Sequence, residues 1–451
     1  MDIIIAGGGK TGLTLAQRMV AEGHNITLID TDSRILETAV ERYDAIGVCG
    51  NCASKEVLLQ AGVKEAELVI AVTDADEVNL LCCMTAHGIN EKIHTIARIR
   101  NPQYAEQVMT MPHVFPLSLT VNPEKRAALE IERLLKFPGF LRRDTFAKGR
   151  VEIVELRIDE KSKLKDVSLI EMAGIVKCRV LVCAVLRSGE AVAPSGNFVL
   201  REGDRIFVTA PNSDLAELMK NLGIITRRVR RVLIAGGGRV SYYLAKLLED
   251  DRMEVQLVDK DYERCQELSA LLPKTSVIWG DVSTPQVLED QRIDDVDAFV
   301  SMTGMDETNI IASLYASTRN VPQIITKVSR GQNNIAGSLP LGSVICPKEL
   351  CSNDIIRYVR AMQNQTGAAV SVHAIADGQA EAVEFTVDEK TKYQDTPLRK
   401  LKLKNNVLIA SITHGAKTQI PNGDSAFTAG DTVVVVTSGR GVLQSINDIF
   451  A

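Results

Sequence analysis

The run Ile3-Ile4-Ile5-Ala6 leads into Gly7-Gly8-Gly9-Lys10-Thr11-Gly12, and Asp30 stands 18 residues past the last of these glycines. Such residues hold a nucleotide through backbone groups. In Gly-x-Gly-x-x-Gly the first glycine permits a tight turn, the second lets a pyrophosphate approach the main chain, and the third lets helix and strand pack closely. Free N–H groups at the start of the helix favour an anion, and a carboxylate after the next strand accepts hydrogen bonds from ribose hydroxyls. The loop recurs as Gly236-Gly237-Gly238-Arg239-Val240, with Ser241 in place of the third glycine and Asp259 in place of Asp30.

Gly9-Lys10-Thr11 is not the end of an ATPase phosphate loop, because that motif needs a glycine where Ile4 stands. The Asp30 carboxylate repels a 2′-phosphate, so NAD or NADH is expected over NADP. ATP and ADP offer the same ribose hydroxyls and stay open. Ser241 spares the two glycines that face phosphate, so the second site is expected to bind a nucleotide with a different affinity or preference.

Loops after later strands of such a fold line the same crevice. Gly50-Asn51-Cys52 and Gly280-Asp281-Val282 follow the third strands, where an amide or carboxylate can meet an adenine edge. Thr73-Asp74-x-Asp76-Glu77-x-Asn79 and Thr303-Gly304-x-Asp306-Glu307-x-Asn309 follow the fourth; they either cap the next helix or also touch ligand. Arg98 and Lys327, ending the fifth strands, contact a phosphate or pair with one of these carboxylates.

The elements that would position these residues are written twice. Gly7 and Gly236, like Asp30 and Asp259, are 229 positions apart; Gly50 with Gly280 and Thr73 with Thr303 are 230 apart. Pro123 corresponds to Pro347, Pro194 to Pro421, and Gly203-Asp204 to Gly430-Asp431, which makes an internal duplication of a two-part unit. In the first part, β-branched runs at 3–6, 26–30, 46–49, 68–72 and 95–99 alternate with helical patterns at 12–22, 33–41, 54–60, 77–87 and 102–109. This predicts a doubly wound, Rossmann-like parallel sheet. A helix from Pro123 to Lys136 follows, and 137–150 reads as a linker or hinge. From Val151 the pattern alternates, predicting a small α+β module whose twin runs from about Glu381. The expected fold class is α/β: two Rossmann-like domains at 1–136 and 226–365, with small α+β segments at 137–225 (linker included) and 366–451.

A net charge of −5 from 52 basic and 57 acidic residues argues against nucleic acid as a partner. Arg227, Arg228, Arg230 and Arg231 read as a solvated connector. No stretch reaches the ~18 apolar residues of a membrane span, and no basic leader is followed by an apolar run, so a cytoplasmic protein is expected. The nine cysteines sit mostly in apolar segments, as reduced core thiols do. Cys49 and Cys52 have the spacing of a redox pair or a zinc half-site, but no second pair matches, and no metal is expected.

A dehydrogenase needs a general acid or base beside its substrate. None of His24, His87, His94, His113, His373 and His414 recurs at a matched position in both halves. No catalytic residue is therefore assigned, and an NAD-dependent oxidoreductase is the rival reading.

The segments IIIAGGGKTGLTLA, ITLID, TDADEVNLL and IARIRNPQY, followed by a small module, resemble the RCK (also called KTN) domains. The tandem copy, over essentially the whole chain, resembles regulators of Trk-type potassium uptake. The resemblance implies a non-catalytic protein at the inner face of the cell membrane, self-associating into a ring beneath a potassium-translocating membrane subunit. It implies binding of NAD(H) and adenine nucleotides, ATP or ADP. In the first site it implicates Gly7, Gly8, Gly9, Lys10, Thr11, Asp30, Asn51, Cys52, Thr73, Asp74 and Arg98. The second site departs from that pattern at Ser241, Gly304 and Lys327.

Overall fold

The computed structural model describes residues 1–136, 139–223, 228–329, 339–363, 369–415, 417–438, 443 and 445–451. In the first half, β1 (Asp2–Ala6), α1 (Lys10–Ala21), β2 (Asn25–Asp30), α2 (Ser33–Tyr43), β3 (Ile46–Cys49) and α3 (Lys55–Gln60) come first. They are followed by β4 (Leu68–Ala71), α4 (Asp76–Ile89), β5 (His94–Arg98), α5 (Pro102–Thr110), β6 (Leu119–Val121) and α6 (Pro123–Lys136). The strands form one parallel sheet in the order β3-β2-β1-β4-β5-β6. Every residue of β4, and all of β1 beyond Asp2, is buried. Strands covered on both faces need such continuous apolar runs. The strand order reverses between β1 and β4, and at such a switch point the loops diverge and leave a crevice.

The first small module contains β7 (Arg142–Phe146), β8 (Val151–Arg157), α7 (Leu169–Val176), β9 (Leu181–Arg187), β10 (Glu190–Val192), β11 (Arg205–Pro211) and α8 (Asn212–Leu222). Its sheet runs β10-β9-β11-β8-β7, with every pair antiparallel. Strand β7 lies inside the stretch expected to be a linker; its partner β8 stabilises residues whose charge and glycine content read as loop. Residues 137 and 138 of that stretch lie outside the described residues.

The second half repeats the plan with β12 (Arg231–Ala235), α9 (Arg239–Asp250), β13 (Glu254–Asp259), α10 (Tyr262–Leu271), β14 (Thr275–Trp279) and α11 (Pro285–Asp290). Then come β15 (Ala298–Ser301), α12 (Asp306–Thr318), β16 (Gln323–Lys327), β17 (Ser343–Ile345) and α13 (Pro347–Gln363). The sheet order, β14-β13-β12-β15-β16-β17, is that of the first half. The second small sheet uses β18 (Ala369–Ile375), β19 (Ala380–Thr386), β20 (Val407–His414), β21 (Lys417–Gln419) and β22 (Thr432–Ser438), in the order β18-β19-β22-β20-β21. It begins before Glu381, where alternation in the sequence first becomes visible. Arg231 opens β12, and Arg227 lies outside the described residues.

Two compact units result, Met1–Arg126 with Pro347–Val359, and Ala127–Cys346 with Arg360–Ala451. The first unit thus takes most of α13 from the second half. There Arg18 donates to Asn353 at 2.6 Å, Arg126 Nε lies 3.1 Å from Asp354, and Tyr358 Oη lies 3.1 Å from His94 Nδ1. In the second unit, Gln323 donates to the carbonyl of Leu134 on α6. The two small modules share one apolar core, from Phe146, Ile153 and Phe207 on one side to Ile375, Ala410 and Val434 on the other.

Candidate functional site

At the end of β1 the chain turns with Gly7 at φ +103°, and Gly236 repeats this at +102°. A Cβ on Gly7 would lie 2.9 Å from the Thr73 amide nitrogen, so this glycine answers both the turn and the close passage of the next loop. A Cβ on Gly12 would come 1.9 Å from the Gly7 carbonyl oxygen, the close helix–strand approach expected of the third glycine. Gly9 and Gly238 are different. A Cβ there meets no protein atom within 4 Å, so nothing in the fold itself demands glycine. No side chain caps α1 at Gly9 or α9 at Gly238. The N–H groups of the first helical turn are left for an anion, and bare backbone faces it. These residues fit a pyrophosphate.

Asp30 is bound to this loop. Gly8 N–H donates to its Oδ2 at 2.6 Å and Asp32 N–H to its Oδ1 at 2.9 Å. In the second half Gly237 N–H donates to Asp259 Oδ2, and Asp261 N–H to Oδ1 at 2.8 Å. Each carboxylate oxygen keeps a further lone pair, so both aspartates stay competent to accept from a ribose. Lys10 and Arg239 are exposed beside the loops, whereas Thr11 and Val240 are buried in their helices.

After the third strands, Asn51 Oδ1 accepts from Ala53 N–H and Asp281 Oδ1 from Ser283 N–H, both at 2.9 Å. The backbone and side-chain hydrogen bonds from Ser283 hold the Asp281 carboxyl below its usual range. Cys52 and Val282 are buried below these turns. The Cys52 thiol hydrogen-bonds Cys82 in the core, while Cys49 is exposed and directs its thiol to the Thr31 carbonyl. Among the described residues no group of three or more His, Cys, Asp or Glu could hold a metal.

The fourth loops correct the sequence reading. The residues before α4 and α12 are Ala75 and Met305, whose own side chains make no cap, and of the acidic run Glu77 accepts from a backbone N–H in the first turn of α4. The Asp76 carboxylate instead accepts from Arg100 N–H at 2.8 Å and Asn101 N–H at 2.7 Å, and Asp306 accepts from Ser329 N–H at 2.9 Å. They tie the fourth loop to the fifth. Arg98, 7% exposed, pairs with Asp74 at 2.9 Å and donates to the Thr73 carbonyl. With Gly304 in place of Asp74, Lys327 instead reaches the Met302 carbonyl at 3.4 Å.

The residues that follow β1 to β5 are thus linked to one another at one end of the first sheet, and the described residues that follow β12 to β16 at one end of the second. Comparison with known proteins gives the lineage. Residues 3–114 and 232–345 match the TrkA-N domain, and residues 153–223 and 382–449 the TrkA-C domain. The chain belongs to the TrkA family. It is 30% identical to the Trk system potassium uptake protein TrkA of Haemophilus influenzae, covering all of this chain and 98% of that one. It is 30% identical to the TrkA homolog of Archaeoglobus fulgidus over the whole of both. Among solved structures the GsuK RCK domain has a TM-score of 0.61 at 17% identity, covering 97% of this chain and 92% of that one. The GsuK channel bound to NAD has a TM-score of 0.60 at 18% identity, covering 97% and 76%.

In this TrkA-family chain one pair of residues from the acidic runs takes a role the sequence did not assign to it, and one further residue of the site was not legible in the sequence. Asn79 and Asn309, fully buried, organise the fourth loops. Cys351 of α13 is buried near Arg98; burial pushes its thiol up to about 12, with Asp354 adding to the shift and Arg98 opposing it. Only the contact across the duplication brings that helix to the first site.

Proposed function

We propose that this chain is a nucleotide-binding regulatory subunit of a Trk-type potassium-translocating membrane protein. The segments 1–136, 137–225, 226–365 and 366–451 are taken as its working parts. The observation that carries the reading is the paired Asp30–Gly8 and Asp259–Gly237 bond beneath a bare glycine at the switch point of each parallel sheet. The ligand class is NAD(H), with ATP or ADP as alternatives, since all share a ribose-linked phosphate. The GsuK structures whose names specify NAD and ADP support this choice.

In the first site Gly7, Gly8, Gly9, Lys10 and Thr11 would hold phosphate, and Asp30 the ribose. Asn51 and Cys52 would flank the base, with Thr73, Asp74 and Arg98 at the far side. In the second, Gly236, Gly237, Gly238, Arg239 and Val240 would hold phosphate, with Asp259, Asp281, Val282, Thr303, Gly304 and Lys327 in the corresponding places. A bound nucleotide acts by its differential affinity for two conformations, about 1–3 kcal/mol of coupling per effector. A ring of such chains at the inner face of the cell membrane multiplies that bias. No helix among the described residues is long and apolar enough to cross a membrane, so contact with the lipid-embedded subunit is assigned to the ring.

Calorimetric titration of the full chain with NADH, NAD, ATP and ADP tests the reading. Asp30→Ala should abolish one class of sites and Asp259→Ala the other. No binding by wild type, or undiminished binding by both variants, defeats it. A fall in NADH absorbance upon turnover of a substrate would favour the oxidoreductase.

A further inference from the structure

The two small modules meet at a pair of residues that are each other's counterparts. Asp144 and His373 are 229 positions apart, the offset that relates the two glycine loops. Asp144 pairs with Ile153 between β7 and β8, and His373 with Ala382 between β18 and β19, again at that offset. The turns between those strands carry Ala147 at φ +50° and Ala376 at +51°. A residue that touches its own counterpart marks the two-fold axis of an isologous contact. Here that contact is between unlike groups. His373 Nδ1 lies 2.8 Å from Asp144 Oδ1, the residues are 7% and 9% exposed, and the imidazole packs on the Phe146 ring at 4.6 Å between centroids.

In a contact between identical modules this position would hold two carboxylates or two imidazoles. Two buried carboxylates at such a distance do not both ionise without a large penalty. Duplication inside one chain removes that constraint, since each half can change alone. We propose that Asp144 and His373 are a pairing key, matching the first small module to the second and penalising pairing of two first or two second modules from different chains. In an assembly built from many copies of the chain, such a key keeps the module partners within each chain.

The surrounding charges are accounted for. Arg142 Nε lies 2.8 Å from Asp144 Oδ2 and feels Glu155 and Glu130. Glu155 pairs with Arg205, and Arg143 with Glu152. On the other module Ser371, the counterpart of Arg142, donates to Glu384 at 2.9 Å. Among the described residues the cation paired with the Asp144 carboxylate, apart from His373 itself, is Arg142, so a second carboxylate at 373 would be poorly compensated.

His373→Asp recreates, within the full chain, the contact that two first modules would make; His373→Asn removes the imidazole without adding charge. Hydrogen exchange of the β7–β8 and β18–β19 peptides reads how often the pairing opens. At neutral pH exchange in His373→Asp should exceed that in His373→Asn by about tenfold or more, the gap closing as acid protonates one carboxyl. Asp144→Asn added to His373→Asp should restore slow exchange. Equal exchange in the two single variants at neutral pH, or no rescue by the second substitution, overturns the proposal. Should neither single variant fold, the double variant decides: recovery supports the key, and continued failure rejects it.

Discussion

The carboxamide oxygen of Asn79 accepts from both the amide and the hydroxyl of Thr73, at 2.8 and 2.7 Å, while its nitrogen donates to the Arg98 carbonyl at 2.9 Å. Asn309 makes the same set with Thr303 and Lys327. One buried side chain thus joins the fourth and fifth loops of each crevice. Asn79→Ala leaves several of these groups without a partner, and each such loss costs about 1–3 kcal/mol. Urea unfolding should show a loss of at least about 2 kcal/mol, with weakened nucleotide binding at the first site alone.

Gly8 and Gly9 are adjacent yet separate fold from ligand. A Cβ on Gly8 would lie 2.5 Å from Ile35 and 3.1 Å from Asp30, whereas one on Gly9 meets nothing. Gly9→Ala should therefore fold with a melting temperature near that of wild type and bind NADH or ADP at least about tenfold more weakly, the cost of a methyl group against a phosphate. Gly8→Ala should lower both. A Gly9→Ala chain that binds as wild type would remove the phosphate role from this loop.

The third position of the motif, Gly12 in the first loop and Ser241 in the second, gives opposite expectations. Gly12→Ala drives a methyl group into the Gly7 carbonyl, and the helix must shift, a destabilisation of about 1–3 kcal/mol or more. Ser241 is fully buried and its hydroxyl has no hydrogen-bond partner among the described residues. Ser241→Ala should thus be neutral or stabilise by about 1 kcal/mol. Thermal unfolding of the two variants separates the cases.

Thiol chemistry should follow burial. Cys49 is exposed, whereas burial pushes Cys183 and Cys351 up to about 12. A maleimide reagent at pH near 8 should label Cys49 first and leave those two unmodified until unfolding. The sign of the pH effect follows from the same shifts. A thiol whose folded pKa lies above its unfolded value near 8.5 stabilises the fold fully below about pH 8.5, and that contribution declines as pH rises toward 12. Cys183→Ala should reduce the alkaline loss of stability, measured by urea midpoints across that window.

What the sequence determined by itself was whatever depends on local backbone demands and on repetition. Gly7, Gly12 and Asp30 were legible because turn, helix approach and ribose acceptor sit at short, fixed offsets, and a second copy at constant spacing confirmed the pattern. Strand β7 was missed because its charged residues are held by β8 and by partners such as Glu152. Asp76 reads as a helix cap from its neighbours in sequence, yet its partners are Arg100 and Asn101. The placement of α13 beside Arg18, His94 and Arg126, and the meeting of Asp144 with His373, were decided by tertiary structure alone. Such contacts join residues hundreds of positions apart, and neither periodicity nor spacing along the chain encodes which buried faces come together.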